Sequence, residues 1–206
     1  MNIKEKHQFS DQLSSFIKDF KPSVMIETGV QTGASSKSLL EALTANNKGV
    51  LYSIDPNNQH NMTHPRWHFC LGKSYEWLPK IYTETQAWDI FLHDSDHAVG
   101  CQVFEYEFAW RCLKPGGYLL TDDHNWNVNY RVWDKFKERY GVEDTMSLGS
   151  VRGVQKPTNN KQAEAGRLSE VIQFCSERAN EACIEAGLKP YLPHHINDED
   201  YLLNAG

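Results

Sequence analysis

The sequence lacks the features that mark several large classes of protein. Among its 206 residues, 21 Lys and Arg stand against 27 Asp and Glu, and the formal charge is -6. No cluster of Lys and Arg occurs along the chain, which argues against nucleic acid as a partner. No apolar run approaches the length of a membrane span, so we expect no membrane association. The polar start of the chain also lacks the apolar segment of a signal peptide.

Cysteine and glycine motifs are also scarce. The five cysteines are an odd number without C-x-x-C spacing, which predicts neither a disulfide framework nor a zinc knuckle. A reducing, cytoplasmic location fits this composition. The chain has no G-x-G-x-x-G dinucleotide fingerprint, and the segment around Gly72 is not a P-loop because Trp67 replaces the glycine that such a loop needs.

What is present is the pattern of an α/β protein. Apolar residues make up 40% of the chain, which is ordinary globular composition. We predict one domain over 1–206, with a core at about 22–157 and a C-terminal helical extension at about 160–206. Strands alternate with helices, which predicts a doubly wound, mainly parallel, Rossmann-like sheet. The predicted strands are 24–29, 50–55, 67–72, 88–94 and 118–123.

The pattern changes after Tyr140. The segments DTMSLG and RGVQKP predict two short strands that pair as an antiparallel hairpin at the edge of the sheet. The stretch 162–187 follows as a single long helix with an apolar stripe. That stripe is too extended to face water, so we expect it to pack on the sheet domain or on a second subunit in a homodimer.

Ligands of open parallel sheets bind beyond the carboxyl ends of the strands, and the first two predicted strands deliver suitable groups there. The turn after the first strand holds Gly29 and Gly33, which allow the backbone to approach a ligand closely. Asp55 ends the second strand, where an acidic side chain can accept both hydroxyl groups of a ribose. Together these features favour a nucleoside site over a purely structural turn.

The fourth and fifth strands deliver carboxylates. Asp94, Asp122 and Asp123 would repel one another without a cation, and oxygen ligands favour Mg²⁺ or another hard divalent cation. The alternative is a helix-capping role for Asp122 or Asp123. His97 lies three residues after Asp94 and is either a general base beside the metal or a histidine at a helix start that faces water.

Two other functions remain open at this point. One is a mononuclear iron oxygenase that uses two histidines and one carboxylate among His93, Asp94, His97 and His124. The other is a non-catalytic module that keeps the fold and binds a partner. The residues after the metal aspartates either shape an acceptor pocket or begin a helix; they are Trp126, Asn127, Asn129 and Tyr130.

Five segments between Val24 and Pro157 carry a resemblance to a known family: VMIETGVQTGASS, LYSIDP, LGKS, WDIFLHDSDH and LKPGGYLLTDD. They resemble the class I S-adenosylmethionine-dependent O-methyltransferases, in the metal-dependent branch. That branch includes catechol O-methyltransferase and the macrolide-sugar O-methyltransferases, and the cephalosporin-biosynthesis proteins share its pattern. The resemblance implies metal-dependent methyl transfer from S-adenosylmethionine to a hydroxyl group of a small molecule.

The resemblance also assigns roles to single residues. His97 would be the catalytic base, and Asp94, Asp122 and Asp123 would hold Mg²⁺ or another divalent cation. The cation would lower the pKa of the acceptor hydroxyl. With the glycine turn included, the expected cofactor-binding residues are Glu27, Gly29, Gln31, Gly33, Ser35, Asp55, Gly72, Ser74 and Asp94.

Overall fold

A computed structural model describes residues 3–128, 130–159 and 167–191, with the backbone alone for 3–10. Thirteen helices and strands lie in this part of the chain. In chain order they are α1 Ile3–Phe20, β1 Val24–Thr28, α2 Ala34–Ala45, β2 Val50–Asp55, β3 Trp67–Leu71, α3 Ser74–Thr85, β4 Trp88–His93, α4 Val99–Cys112, β5 Leu113–Thr121, α5 Val132–Tyr140, β6 Met146–Leu148, β7 Val151–Gln155 and α6 Leu168–Glu185.

The seven strands form one sheet in the order β3-β2-β1-β4-β5-β7-β6. The first five strands of this order are parallel, while β7 pairs antiparallel with β5 and β6 antiparallel with β7. The predicted fold class, a Rossmann-like parallel sheet with an antiparallel edge hairpin, is therefore confirmed. The direction of winding reverses between β1 and β4, which is where such sheets open a crevice for a ligand.

Helices cover both faces of the sheet. On one face, Leu13 of α1 and Leu39 of α2 pack on Met25 and Leu51 of the sheet. On the other face, α3, α4 and α5 form a second core with β1, β4 and β5. Strands buried on both faces read as continuous apolar runs, which explains why the sequence reveals them clearly. No helix in the described residues is long and apolar enough to cross a membrane.

Helix α4 is buried on nearly every side. The sequence predicts only a core-facing stripe of Phe104, Phe108 and Cys112, but Glu105 and Glu107 are buried as well. The reason is that α6 packs on the outer face of α4, so α4 lies between the sheet and another helix. Packing of the C-terminal helix on the sheet domain is thus confirmed; its predicted first residues lie outside the described part of the chain.

The segment KPGG differs from its prediction. We expected a turn over 114–117 before a strand, but β5 already begins at Leu113. Its pairing with β4 steps from Leu113 opposite Trp88 to Tyr118 opposite Ile90. The extra residues form a bulge in which Gly116 adopts a φ of 82°. β5 then ends at Thr121, so Asp122 and Asp123 begin the following loop.

Candidate cofactor and active site

A cavity of about 240 Å³ lies beyond the carboxyl ends of β1, β2, β3 and β4. It is at the predicted edge of the sheet and next to the point where the winding reverses. The predicted cofactor-binding residues on its wall are Gly29, Gln31, Asp55, Gly72, Ser74 and Asp94. The other wall residues are Thr28, Ile54, Pro56, Lys73, Ser95, Asp96, Cys101, Glu105 and Tyr191.

Asp55 has a second task besides facing the cavity. Its Oδ2 accepts hydrogen bonds from the backbone N–H groups of Val30 at 2.8 Å and Gln31 at 2.9 Å. Its Oδ1 accepts one from the backbone N–H of Asn57 at 2.7 Å. The carboxylate therefore holds the glycine turn in shape, and of its roughly four lone-pair sites one remains available to a ligand.

The glycines of the first turn are needed for packing against the protein itself. Gly29 has a φ of 85°, and a Cβ there would lie 1.9 Å from the carbonyl oxygen of Asp94. Gly33 has a φ of 84°, and a Cβ there would lie 2.3 Å from Sδ of Met62. The close approach expected from these glycines is thus between two loops of the chain, and only Gly29 is also on the cavity wall.

Glu27 and Ser35, two further predicted cofactor residues, are not on the cavity wall. Glu27 is fully buried and accepts hydrogen bonds from Ser36 Oγ at 2.5 Å and Ser53 Oγ at 2.7 Å. Burial raises the pKa of Glu27, while hydrogen bonds from Ser36, Ser35 and Ser53 lower it by less. In this structure Glu27 links β1, β2 and the start of α2.

Glu105 is a wall residue that the sequence analysis did not identify. Its carboxylate accepts hydrogen bonds from Thr28 Oγ1 at 2.6 Å and Ser95 Oγ at 2.9 Å, and it contacts His93 Nδ1 at 2.6 Å. Burial alone would raise the pKa of Glu105, but the charge of His93 and the hydrogen bonds of His93, Ser74 and Thr28 bring it below its ordinary value. Glu105 therefore stays ionised at the floor of the cavity.

Two of the predicted metal aspartates lie side by side. The backbone N–H groups of Asp94 and Asp122 donate to Thr28 and His93, so each residue continues the edge of its strand. Burial, followed by the charges of Asp122, Glu27 and Asp123, raises the pKa of Asp94 to about 8. Oδ1 of Asp122 is buried and has no hydrogen-bond partner in the described part of the protein.

The three-carboxylate metal site expected from the sequence is not assembled here. Among residues 3–128, 130–159 and 167–191, no three His, Cys, Asp or Glu side chains are grouped as ligands of one metal ion. Asp94 and Asp122 fit a hard cation as a pair of oxygen ligands, since one oxygen of Asp122 lacks a partner. Asp123 is near enough for its charge to act on Asp94.

His97 lies near Asp122 and Asp123, whose charges act on it, and is half-buried. Its ring centre is 5.2 Å from that of His93 and 5.7 Å from that of Trp126. Burial and the charge of His93 lower the pKa of His97 more than Asp123 and Asp122 raise it. A neutral imidazole at pH 7 is able to accept a proton. Trp126 lies in the loop after β5, next to His97, and is 65% exposed.

The four residues considered for an iron site point in different directions. His93 belongs to the buried group around Glu105. His124 Nδ1 lies 3.3 Å from the carbonyl oxygen of Ser150, in the turn between β6 and β7. Of the remaining two, Asp94 lies on the cavity wall and His97 does not, so the arrangement gives an iron oxygenase no support.

Comparison with known protein families identifies this region. The family model of a methyltransferase domain matches residues 26–124, from β1 to just beyond β5. Residues 26–124 are a methyltransferase domain. The resemblance to methyltransferases and the predicted enzyme class, a methyltransferase, are therefore confirmed. The matched segment contains all predicted site residues.

Solved structures confirm the fold. An O-methyltransferase from Bacillus cereus in complex with SAH, S-adenosylhomocysteine, is 16% identical over 71% of this chain and 80% of its own, with a TM-score of 0.56. TomG from Streptomyces achromogenes, an O-methyltransferase involved in tomaymycin synthesis, is 14% identical over 71% of this chain and 79% of its own, with a TM-score of 0.55. No curated protein matches the sequence significantly.

A third structure carries a metal. MycE, a methyltransferase of the mycinamycin pathway in complex with Mg and SAH, is 14% identical over 74% of this chain, with a TM-score of 0.59. The alignment covers 51% of MycE, so this chain spans about half the length of that protein. At this identity the likeness concerns the fold alone.

Proposed function

We propose that the protein transfers a methyl group from S-adenosylmethionine to a hydroxyl oxygen of a small molecule. The observation that carries the proposal is one cavity in a methyltransferase domain that has a nucleoside-type wall and a proton acceptor close to it. Asp55 and Asp94 stand on that wall, Asp94 contacts Asp122, and the charge of Asp122 acts on His97. The nearest alternative is a non-catalytic module that keeps this fold.

The charge of the cavity suits this cofactor. Its wall carries the carboxyl groups of Asp55, Asp96 and Glu105 against the single ammonium group of Lys73, while that of Asp94 is mostly protonated at pH 7 because its pKa is raised to about 8. An acidic cavity attracts a cation, and the sulfonium group of S-adenosylmethionine is positively charged. A ribose hydroxyl would take the remaining lone-pair site of Asp55, and Gly72 and Ser74, which follow β3, would flank the adenine.

For methyl transfer, the main task of the protein is to position the methyl donor and the acceptor. The methyl group moves in line from sulfur to oxygen, so the domain has to hold donor and acceptor at near-attack distance. His97, neutral at pH 7, would accept the hydroxyl proton on an imidazole nitrogen. The exposed indole of Trp126 next to His97 offers a flat apolar surface to the acceptor.

A divalent cation such as Mg²⁺ is a further part of the proposal. Asp94 and Asp122 would hold it, with Asp123 as the third ligand expected from the sequence. Three features support this: the contact of two carboxyl groups, the unpartnered oxygen of Asp122 and the nearby charge of Asp123. When bound, such a cation lowers the pKa of an acceptor hydroxyl.

The test is formation of S-adenosylhomocysteine from S-adenosylmethionine with a panel of catechols, other phenols and sugars. We expect product with at least one acceptor, loss of transfer after EDTA treatment, and recovery on addition of Mg²⁺. Transfer at the untreated rate after EDTA would show that the aspartates are caps and that no metal takes part. Absence of cofactor binding would instead favour the non-catalytic module.

The proposal also covers the cellular location of the protein and its oligomeric state. All five cysteines are buried free thiols, which supports a reducing location such as the cytoplasm. A homodimer remains a proposal, and the exposed side chains of Ile184 and Leu188 at the end of α6 are its candidate contacts. Light scattering at high concentration tests it, since a monomer there would contradict it.

A further inference from the structure

One wall of the cofactor cavity comes from far along the chain. All wall residues except one lie between Thr28 and Glu105, within the segment that matches the methyltransferase domain. The exception is Tyr191, which follows α6. The C-terminal part of the protein therefore reaches back to the carboxyl edge of the sheet.

Two contacts fix the position of Tyr191. Its backbone N–H donates to Oδ1 of Asn180 on α6 at 2.8 Å. Its side chain lies directly against α4 at Gly100, where a Cβ would be 2.3 Å from the Cβ of Tyr191. Any larger residue at 100 would displace the tyrosine, so the wall depends on a glycine in the first turn of α4.

The ring of Tyr191 is held from two more sides. It meets the ring of Tyr75 edge-on, with centres 6.3 Å apart. Its hydroxyl is hydrogen-bonded to the thiol of Cys101. Tyr75 directly follows Ser74 on α3, so Tyr191 stands at the end of the cavity formed by the loop after β3.

We infer that Tyr191 is a cofactor-binding residue that closes the adenine end of the cavity. The inference rests on the proposed function, because that function places the adenine beside Gly72 and Ser74. A tyrosine ring buries a large apolar surface and loses little conformational freedom when it packs on a flat purine. The C-terminal helix then serves to carry this residue to the site.

Calorimetric titration of S-adenosylmethionine and S-adenosylhomocysteine into the wild type and three variants tests the inference. Tyr191→Ala should weaken binding of both ligands by the same factor, roughly tenfold, because both contain the adenosine group. Tyr191→Phe keeps the ring and should stay within about twofold of the wild type. Tyr118→Ala is the matched control, since Tyr118 packs on Phe16 and Phe20 away from the cavity.

Several results would overturn the inference. Unchanged or tighter binding by a folded Tyr191→Ala protein means that the ring does not hold the cofactor. A loss for only one of the two ligands means that the ring acts on the sulfur and not on the adenosine. If Tyr191→Ala does not fold, Tyr191→Leu retains apolar bulk without the aromatic ring and is judged by the same criteria. Failure of the wild type to bind either ligand contradicts the proposed function itself.

Discussion

Replacing Glu105 by Gln removes the charge from the buried pair that it forms with His93. Both side chains are 0% exposed, and their atoms are 2.6 Å apart. Gln keeps the size of Glu but cannot accept on both atoms of its head group, so at least one donor among Thr28, Ser95 and His93 loses its partner. We therefore expect a large loss of stability and little change in the shape of the fold.

The size of the loss follows from the burial of both partners. Breaking a buried pair by removing one member costs about 3–5 kcal/mol, a large share of the roughly 5–15 kcal/mol that stabilises a typical domain. For a chain of this length, about 2–4 °C of Tm corresponds to each kcal/mol, so the Tm should fall by roughly 6–20 °C. Urea unfolding followed by circular dichroism measures the free energy, and calorimetry measures the Tm.

The direction of the pKa shift of Glu105 predicts how the stability difference between wild type and Glu105→Gln depends on pH. The pKa of Glu105 is lowered from an ordinary value of 4.5, so its charge stabilises the fold above that pH. The stabilisation is lost as the pH falls through the lowered pKa. The difference between wild type and Glu105→Gln should thus be full near pH 7 and shrink below about pH 4.

Glu107→Gln on the same helix is the matched control. Glu107 is equally buried, but it pairs with Arg139 and Tyr140, and the Arg139 side chain is 34% exposed. Arg139 can turn to water when its partner is lost, so we expect a smaller loss, about 1–2 kcal/mol. Equal losses for the two variants, or a loss below about 1 kcal/mol for Glu105→Gln, would refute the reasoning.

Three further predictions concern the site and the edge of the core. Asp55→Ala should weaken S-adenosylmethionine binding by about 1.5–3 kcal/mol and also lower the Tm, because three backbone N–H groups lose their acceptor; unchanged affinity in a folded variant contradicts the ribose role. His97→Ala should retain cofactor binding and lose roughly 10²–10⁴ in rate, as expected for a general base, and a rate near that of the wild type removes this role. Burial lowers the pKa of Lys156 to about 8, so Lys156 should contribute a rise of roughly 1–2 kcal/mol in stability between pH 7 and 9.5. The buried cysteines, whose pKa is raised, act in the opposite direction in wild type and variant alike, so the test is the difference between them: wild-type stability relative to Lys156→Met should rise over this range in urea titrations.

The fold was predictable because its signals are local. Apolar strand runs such as 50–55 have the bounds that the sequence indicates. The full burial of α4 was not predictable, because it depends on α6 packing on it from a distant part of the chain. For the same reason Glu105 looks like a solvent-facing residue of an amphipathic helix until its partners on β1 and β4 are known.

The candidate site was predictable in its position but only partly in its contacts. Strand ends in a parallel sheet meet at one edge, so the gathering of Asp55, Asp94 and Asp122 follows from the strand pattern. In the sequence, an acidic residue at a strand end looks the same whether it binds a ribose or accepts hydrogen bonds from a turn. Asp55 is placed to do both. Nothing in the sequence indicated that Tyr191 lies at the cavity, because its position depends on the path of the chain after α6.

The central claim is that this cavity binds S-adenosylmethionine, and calorimetric titration of the ligand into the full chain tests it most directly. We expect one molecule bound per chain, displaced by S-adenosylhomocysteine, with similar affinity in EDTA and in Mg²⁺, since the cofactor lies mainly on the first strands of the sheet. The same titration with Asp55→Ala should show weaker binding. Absence of binding by the folded wild type under both conditions would contradict the account.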